Sequence, residues 1–232
     1  MKACNIFVCN PQKFQSPRIK IIPIGIISKF LVSLCAMTKA ERTRRYIVEK
    51  TAPLFNRKGF DGTTLSDLTE ATGLTKGALY GNFPDKDAIA QEAFRYSIAK
   101  VREMVATHIE EALTYKQQLQ GVFDFFARYV SDPPVPGGCP LLNTAIEADD
   151  HRTSMRRVVA KELMITIDFI AGLLERGVSA GEFRKNIKPR ELAYTCFCSI
   201  EGALMFARVE RSREPMDIIV QHCKKILDQI SK

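Results

Sequence analysis

The stretch between Thr63 and Tyr80 most restricts the fold: two short helix-forming segments joined by a turn that glycine makes easily. Thr64-Leu65-Ser66-Asp67 has the hydroxyl-x-x-acid form of a helix start, where the side chain of the first residue and that of the fourth cap each other's backbone N–H groups. Leu65 and Leu68 stand three apart and share one side of that helix. Gly73, directly after Thr72, is a stop signal, because glycine enters positive φ without a Cβ penalty. Leu74 is expected to fill the space beneath the turn, and Thr75 to cap a second short helix, Lys76-Gly77-Ala78-Leu79-Tyr80. Two short helices joined in this way form a helix-turn-helix, whose second helix enters the major groove of DNA.

A longer helix precedes this pair. Ile47, Thr51, Leu54 and Phe55 recur at i, i+4, i+7 and i+8, which is one face of a helix. Thr38 is placed to cap it, and Arg57-Lys58-Gly59 ends it with basic residues and a glycine. Pro53 lies inside, where it removes the hydrogen bond to the carbonyl of Glu49 and is expected to kink the helix.

Gly59-Phe60, Thr63-Thr64-Leu65, Gly73-Leu74-Thr75-Lys76-Gly77-Ala78-Leu79-Tyr80, Asn82-Phe83 and Asp85-Lys86 stand in this order in one contiguous stretch of the chain. Together they closely resemble the DNA-binding domain of the tetracycline-repressor (TetR) family. The chain departs from the family at Asn82, where His is frequent, and Gly81 is also unusual there. Asn keeps the ability to donate to phosphate, and Gly81 is expected to loosen the end of the reading helix.

The residues suit DNA contact one by one. Thr64 and Thr75 present hydroxyls at helix N-termini, where backbone N–H groups also face phosphate. Lys76 opens the reading helix and reaches guanine edges or phosphate, and Gly77 permits close approach. Tyr80, one turn on, offers a ring to a thymine methyl and a hydroxyl to phosphate. Asn82 and Lys86 are assigned to the DNA backbone. Arg44 and Arg45 either flank the groove or are solvated surface charges.

Beyond Lys86 the pattern is helical throughout. Helices are expected from Asp85 to about Leu113, Gln117 to Val130, Leu141 to Ala148, Thr153 to Arg176, Pro189 to Arg208 and Met216 to Ile230, with no strand pattern after Met37. The fold class is therefore all-α: a three-helix DNA-binding domain over residues 37–86 and a helical ligand-binding and dimerisation domain over 87–232. The resemblance implies that the last two helices pair with their copies in a dimeric four-helix bundle. Ala193, Cys196, Phe197, Ile200, Leu204 and Ala207 supply an apolar face for this, and Ser199, Gly202 and Ala203 allow close approach. It also implies an effector pocket among the middle helices. Met104, His108, Phe126, Leu142, Asn143, Met164, Asp168 and Phe169 are the candidate linings, with His108 and Asp168 as polar groups among apolar neighbours. No residue names the effector.

Gly137-Gly138-Cys139-Pro140-Leu141-Leu142-Asn143 resembles a motif of one TetR subset. Cys139 is either a thiolate activated at a helix N-terminus, which would make the chain a redox- or electrophile-sensing repressor, or a small hydrophobe in a shaped loop. An enzyme with a Cys139 nucleophile is disfavoured, because only His108 and His151 lie near it in the chain and no catalytic motif surrounds them. The chain has seven Cys and no CxxC pair, so neither a disulfide framework nor a zinc ribbon is expected, nor any cofactor.

Residues 1–36 carry Lys2, Lys13, Arg18, Lys20 and Lys29 and no acid, followed by an apolar run broken by Pro23. They make a poor signal peptide and a poor membrane span. Met37-Thr38-Lys39-Ala40-Glu41-Arg42 reads like an ordinary start, so the leader is read as an upstream-start extension or a disordered arm. The formal net charge of +8 favours an anionic partner. Double-stranded operator DNA, a second copy of the chain and a small-molecule effector are the expected partners, in the cytoplasm and away from membranes.

Overall fold

The computed structural model describes residues 37–150 and 152–232. The leader and His151 lie outside the described residues. From Ala40 to Lys232 the chain forms one compact unit. Its helices are α1 (Lys39–Lys58), α2 (Leu65–Thr72), α3 (Lys76–Asn82), α4 (Lys86–Ile109), α5 (Tyr115–Tyr129), α6 (Pro140–Ala148), α7 (Thr153–Ser179), α8 (Pro189–Glu210) and α9 (Glu214–Ile230). Among the described residues the only β pairing is an isolated bridge between Phe183 and Ser231.

Two hydrophobic clusters organise the chain. The smaller joins α1 to α4 through Ile47, Leu68, Leu79, Phe83 and Ile89. The larger runs through α4 to α9 and includes Phe94, Phe123, Phe126, Ile170, Phe197, Leu204 and Leu227. Helix α1 runs through Pro53 without interruption, and Tyr46 in its second turn donates its hydroxyl to the Thr72 carbonyl at 3.0 Å. That bond ties the long first helix to the end of α2.

Local signals set the helix ends. Thr64 and Asp67 form the reciprocal box at the start of α2, and Gly73 closes that helix at φ +66°. Asp85 caps α4 by accepting from Ala88 N at 2.7 Å. Helix α4 ends at Ile109, short of the expected Leu113, and Leu113 is 78% exposed rather than inward. The reason is a second reciprocal box, in which Thr114 and Gln117 cap each other at the start of α5 and force the chain to turn first. The Glu182 carboxylate reinforces this turn by accepting from Tyr115 N and Lys116 N at 3.1 and 3.0 Å. Helix α7 continues to Ser179, three residues beyond expectation, and Gly177 in its last turn lets the Phe183 ring pack against bare backbone.

Candidate nucleic-acid interface

The reading helix α3 is held from behind and capped at both ends. Leu79 is fully buried, and Thr75 accepts from Ala78 N at 3.2 Å. The Phe83 N–H closes the last turn onto the Leu79 carbonyl. Arg44 on α1 donates to the Asn82 carbonyl and lies 4.2 Å over the Phe83 ring. Thr75, Lys76, Gly77, Tyr80 and Gly81 form the outward face, with the Lys76 ammonium 6.0 Å from the Tyr80 ring centre. The backbone at Gly77 is open, so a phosphate or base edge can approach it closely.

The other nominated side chains already have partners. Arg45 donates to Glu49 at 2.8 Å on the same helix. The Asn82 amide donates back to the Ala78 carbonyl at 2.8 Å, which steadies the helix end next to Gly81. Lys86 is half-buried, with its ammonium 4.0 Å over Phe60. Thr64 caps α2 and donates its hydroxyl to Asp67 at 2.8 Å. Asp67 is held down at a pKa of about 2, first by the hydrogen bond from Lys58 and then by those from Thr64. Thus Thr75, Lys76, Gly77 and Tyr80 converge on one exposed face, whereas Arg44, Arg45, Asn82 and Lys86 brace its surroundings.

Charge is distributed accordingly. Residues 37–86 hold nine Lys/Arg against six Asp/Glu, and residues 87–232 hold twenty of each. Within the described part of the chain, the basic excess therefore sits with the helix-turn-helix.

A buried hydrogen-bond network fastens this head to the helical body. The Asn56 amide, near the end of α1, donates to the carbonyls of Val135, Pro136 and Gly138 at 3.4, 3.1 and 2.9 Å. Asn143 on α6 donates to the backbone carbonyl and side-chain oxygen of Asn56, both at 3.0 Å, and to the Gly137 carbonyl at 2.9 Å. Gly137 and Gly138 have φ of +121° and +95°, and a Cβ on either would strike Asn56 backbone or the Arg208 guanidinium. The Gly-Gly-Cys-Pro segment is thus a close-packed strap between α1, α6 and α8. Glu147 adds a second fastening by accepting from Phe60 N and Asp61 N at 2.7 and 3.0 Å.

Cys139 is the N-cap residue of α6, but its thiol is buried and donates to Glu201 on α8 at 3.1 Å. Burial, and then the neighbouring Glu201 charge, push the thiol well above its ordinary pKa. Of the two readings of Cys139, the small hydrophobe in a shaped loop fits this environment and the activated thiolate does not, because desolvation outweighs the helix N-terminus.

The candidate effector residues do not gather around one cavity. Met104 and Met164 are exposed, and Met164 accepts from the Tyr194 hydroxyl at 3.6 Å. Asp168 is a surface ion-pair partner of Arg190 at 2.7 Å. His108 stands edge-on to Phe125 at 6.3 Å, and Phe126 is buried and stacks on Tyr129 at 5.7 Å. Leu142 and Phe169 pack against the main core, and Asn143 is committed to Asn56. A crevice instead opens where α1, α4, α6 and α7 meet, lined in part by Phe55, Phe60, Phe94, Thr144 and Arg152. Asn56, Glu147 and Arg152 were missed in the sequence, since each is one polar residue in an amphipathic helix or at its end.

A capped helix-turn-helix with an outward reading helix, fastened to a larger helical body, defines a DNA-binding transcriptional regulator. Residues 47–93 match the family of bacterial regulatory proteins of the tetR type, and residues 115–223 match the tetracyclin repressor-like C-terminal domain. The chain is 26% identical over 179 residues to the HTH-type transcriptional repressor DhaR of Mycobacterium sp. strain GP1, covering 75% of this chain and 86% of DhaR. It is 36% identical to a crystallised TetR-family regulator from Cytophaga hutchinsonii, with a TM-score of 0.80 over 84% of this chain and 98% of that one. It also shares its fold, at 18% identity and a TM-score of 0.68, with a cysteine mutant of the regulator CifR complexed with 26-base-pair double-strand operator DNA; that match covers 78% of this chain and 94% of that one. The chain belongs to the TetR family.

Proposed function

We propose that this chain is a cytoplasmic repressor that binds its operator as a homodimer and is released by a small molecule. The observation that carries the reading is the outward face of α3, where Thr75, Lys76, Gly77 and Tyr80 are exposed while Leu79 anchors the helix from behind. Lys76 and Tyr80 are the base-reading residues. Thr64, Thr75 and the N–H groups beside them meet phosphate, and Asn82, Lys86, Arg44 and Arg45 hold the head in register or touch the DNA backbone. CifR, which has the same fold, is complexed with operator DNA, and this supports double-stranded DNA as the partner.

Dimerisation through α8 and α9 is supported by the apolar residues left outside the core. Met205, Phe206 and Val209 on α8 are 45%, 54% and 81% exposed, and Ile218 on α9 is 57% exposed. Helix α8 is apolar and long enough to cross a membrane by composition, but its other face packs Ala193, Phe197, Ile200 and Leu204 into the core. A partner protomer accounts for the remaining apolar strip without a bilayer. A dimer also suits the DNA side, because half-sites repeat about 34–36 Å, or a multiple of that, apart.

Helix α4 is the mechanical link. It is unbroken from Lys86 to Ile109, so Lys86 beside the head and His108 in the body are about 33 Å apart on one rod. An effector that prefers the DNA-incompetent arrangement tilts this rod, and operator must then weaken effector binding by the same factor. The test is Phe206→Glu, with association state read by analytical ultracentrifugation and operator binding by fluorescence anisotropy. A monomer that loses operator affinity is expected. A dimer with wild-type affinity would contradict the interface.

A further inference from the structure

We propose that the crevice between α1, α4, α6 and α7 binds a small, uncharged, mostly apolar molecule carrying one acceptor oxygen, such as a ketone or ester carbonyl. This rests on the regulatory reading above and gives its effector a place and a chemical class.

Arg152, at the start of α7, carries the argument. Its side chain is 11% exposed, and its guanidinium lies 3.1 Å over the Phe60 ring. Nη2 donates to Asp87 on α4, whereas Nη1 is buried without a hydrogen-bond partner among the described residues. A guanidinium carries donors and no acceptor, so only an acceptor can satisfy that N–H. Leaving it unsatisfied is unfavourable, and Arg152 lines the crevice, where an acceptor can meet it.

The surroundings select the ligand. The crevice is narrow and open at its mouth, so it admits only a small molecule. Ala52, Phe55, Ala90, Ala93, Phe94 and Met155 make most of its wall apolar. Its polar groups are largely occupied: Ser97 donates to the Ala93 carbonyl, Asn56 belongs to the strap, and Glu147 caps Phe60 and Asp61. Asp87 already neutralises Arg152, and the Lys86 ammonium over Phe60 offsets Glu147, so the crevice offers an anionic ligand no net positive charge. A cationic ligand would have to displace or face the guanidinium. A neutral acceptor remains, and it satisfies Nη1 without adding charge.

The location supplies the consequence. The walls come from the head (Ala52, Phe55, Asn56, Phe60) and from the body (α4, α6, α7), so a molecule seated there touches both. Its occupancy is therefore coupled to the orientation of α1 relative to α6, the joint that the Asn56 network fixes.

The test uses four probes of matched size: acetophenone, ethylbenzene, benzoate and benzylamine. The full chain is labelled with ¹³C-methyl methionine, and the Met155 methyl resonance reports occupancy. Acetophenone is expected to shift that resonance saturably, with ethylbenzene at least tenfold weaker and the two charged probes without effect. Arg152→Met should lower acetophenone affinity at least tenfold. Thr144→Leu, which narrows the crevice and leaves Arg152 in place, should do the same if Arg152→Met fails to fold. Acetophenone should also change operator affinity at least threefold in the wild type. Benzoate binding as tightly as acetophenone, ethylbenzene matching it, or an unmoved Met155 resonance would overturn the proposal. Operator binding without any probe is measured alongside. Its loss would sink the regulatory reading while the Met155 titration still decides the crevice.

Discussion

Replacing Glu201 with Gln should abolish a specific pH dependence of stability. Glu201 sits in the middle of α8 and is 8% exposed. Its Oε1 accepts from the Cys139 thiol, and its Oε2 has no partner among the described residues. Burial raises its pKa from 4.5 to about 7, against a smaller opposing pull from the Cys139 bond. The folded chain thus holds this proton to higher pH than the unfolded chain does. The stabilisation is complete below pH 4.5 and is lost as pH rises through about 7. At 1.36 kcal/mol per pH unit, that interval amounts to about 3 kcal/mol. Gln keeps the shape and the acceptor oxygen but cannot ionise. Urea denaturation at fixed protein concentration, repeated from pH 4.5 to 8.5, gives the stability of both proteins. The stability of Glu201→Gln minus that of wild type should rise by about 3 kcal/mol across this range. A difference that stays flat would show that Glu201 is ionised in the fold with partners that compensate it, and would refute the burial argument.

Asn56→Ala leaves the carbonyls of Val135, Pro136 and Gly138 without their donor, so it should cost about 1–3 kcal/mol in the same denaturation assay. Gly138→Ala forces a Cβ to 2.7 Å from the Arg208 guanidinium at a φ of +95°, and a lower melting temperature is expected; a neutral result would place the strap elsewhere. Mass-spectrometric mapping after iodoacetamide treatment at pH 8 should find Cys139 spared in the native protein and labelled only after denaturation, because its thiol is buried. Rapid native labelling of Cys139 would restore a thiol-sensing role.

The head was legible in the sequence because its instructions are local. The Thr64–Asp67 box, the Gly73 stop and the Thr75 and Asp85 caps act over three or four residues, and each is made as expected. The inward Leu68 and Leu79 follow from the same periodicity. The Thr114–Gln117 box is equally local, yet the apolar pattern running on to Leu113 masked it and moved the expected end of α4. The effector side was not legible, since it depends on how four helices meet. Asn56 finds its partners 79 to 87 residues away, and Arg152 meets Asp87 across 65 residues of sequence and Phe60 across still more. Helical spacing placed Met104, Met164 and Asp168 near apolar neighbours, but the rotation of each helix turned them to solvent. At Cys139 both the helix start and the small-hydrophobe reading were visible, and it takes the packing of Glu201 against the thiol to decide between them.

The central claim is that α3 reads DNA, and a base-substitution scan of the operator tests it most directly. Anisotropy titrations with wild type, Lys76→Ala and Tyr80→Ala, each against the operator and its single-base variants, separate lost affinity from lost discrimination. Each substitution should cost about 1–3 kcal/mol on the operator and flatten the preference at one or two base positions, with the far-ultraviolet circular dichroism unchanged. If both variants bind every sequence as the wild type does, α3 is not the reading helix.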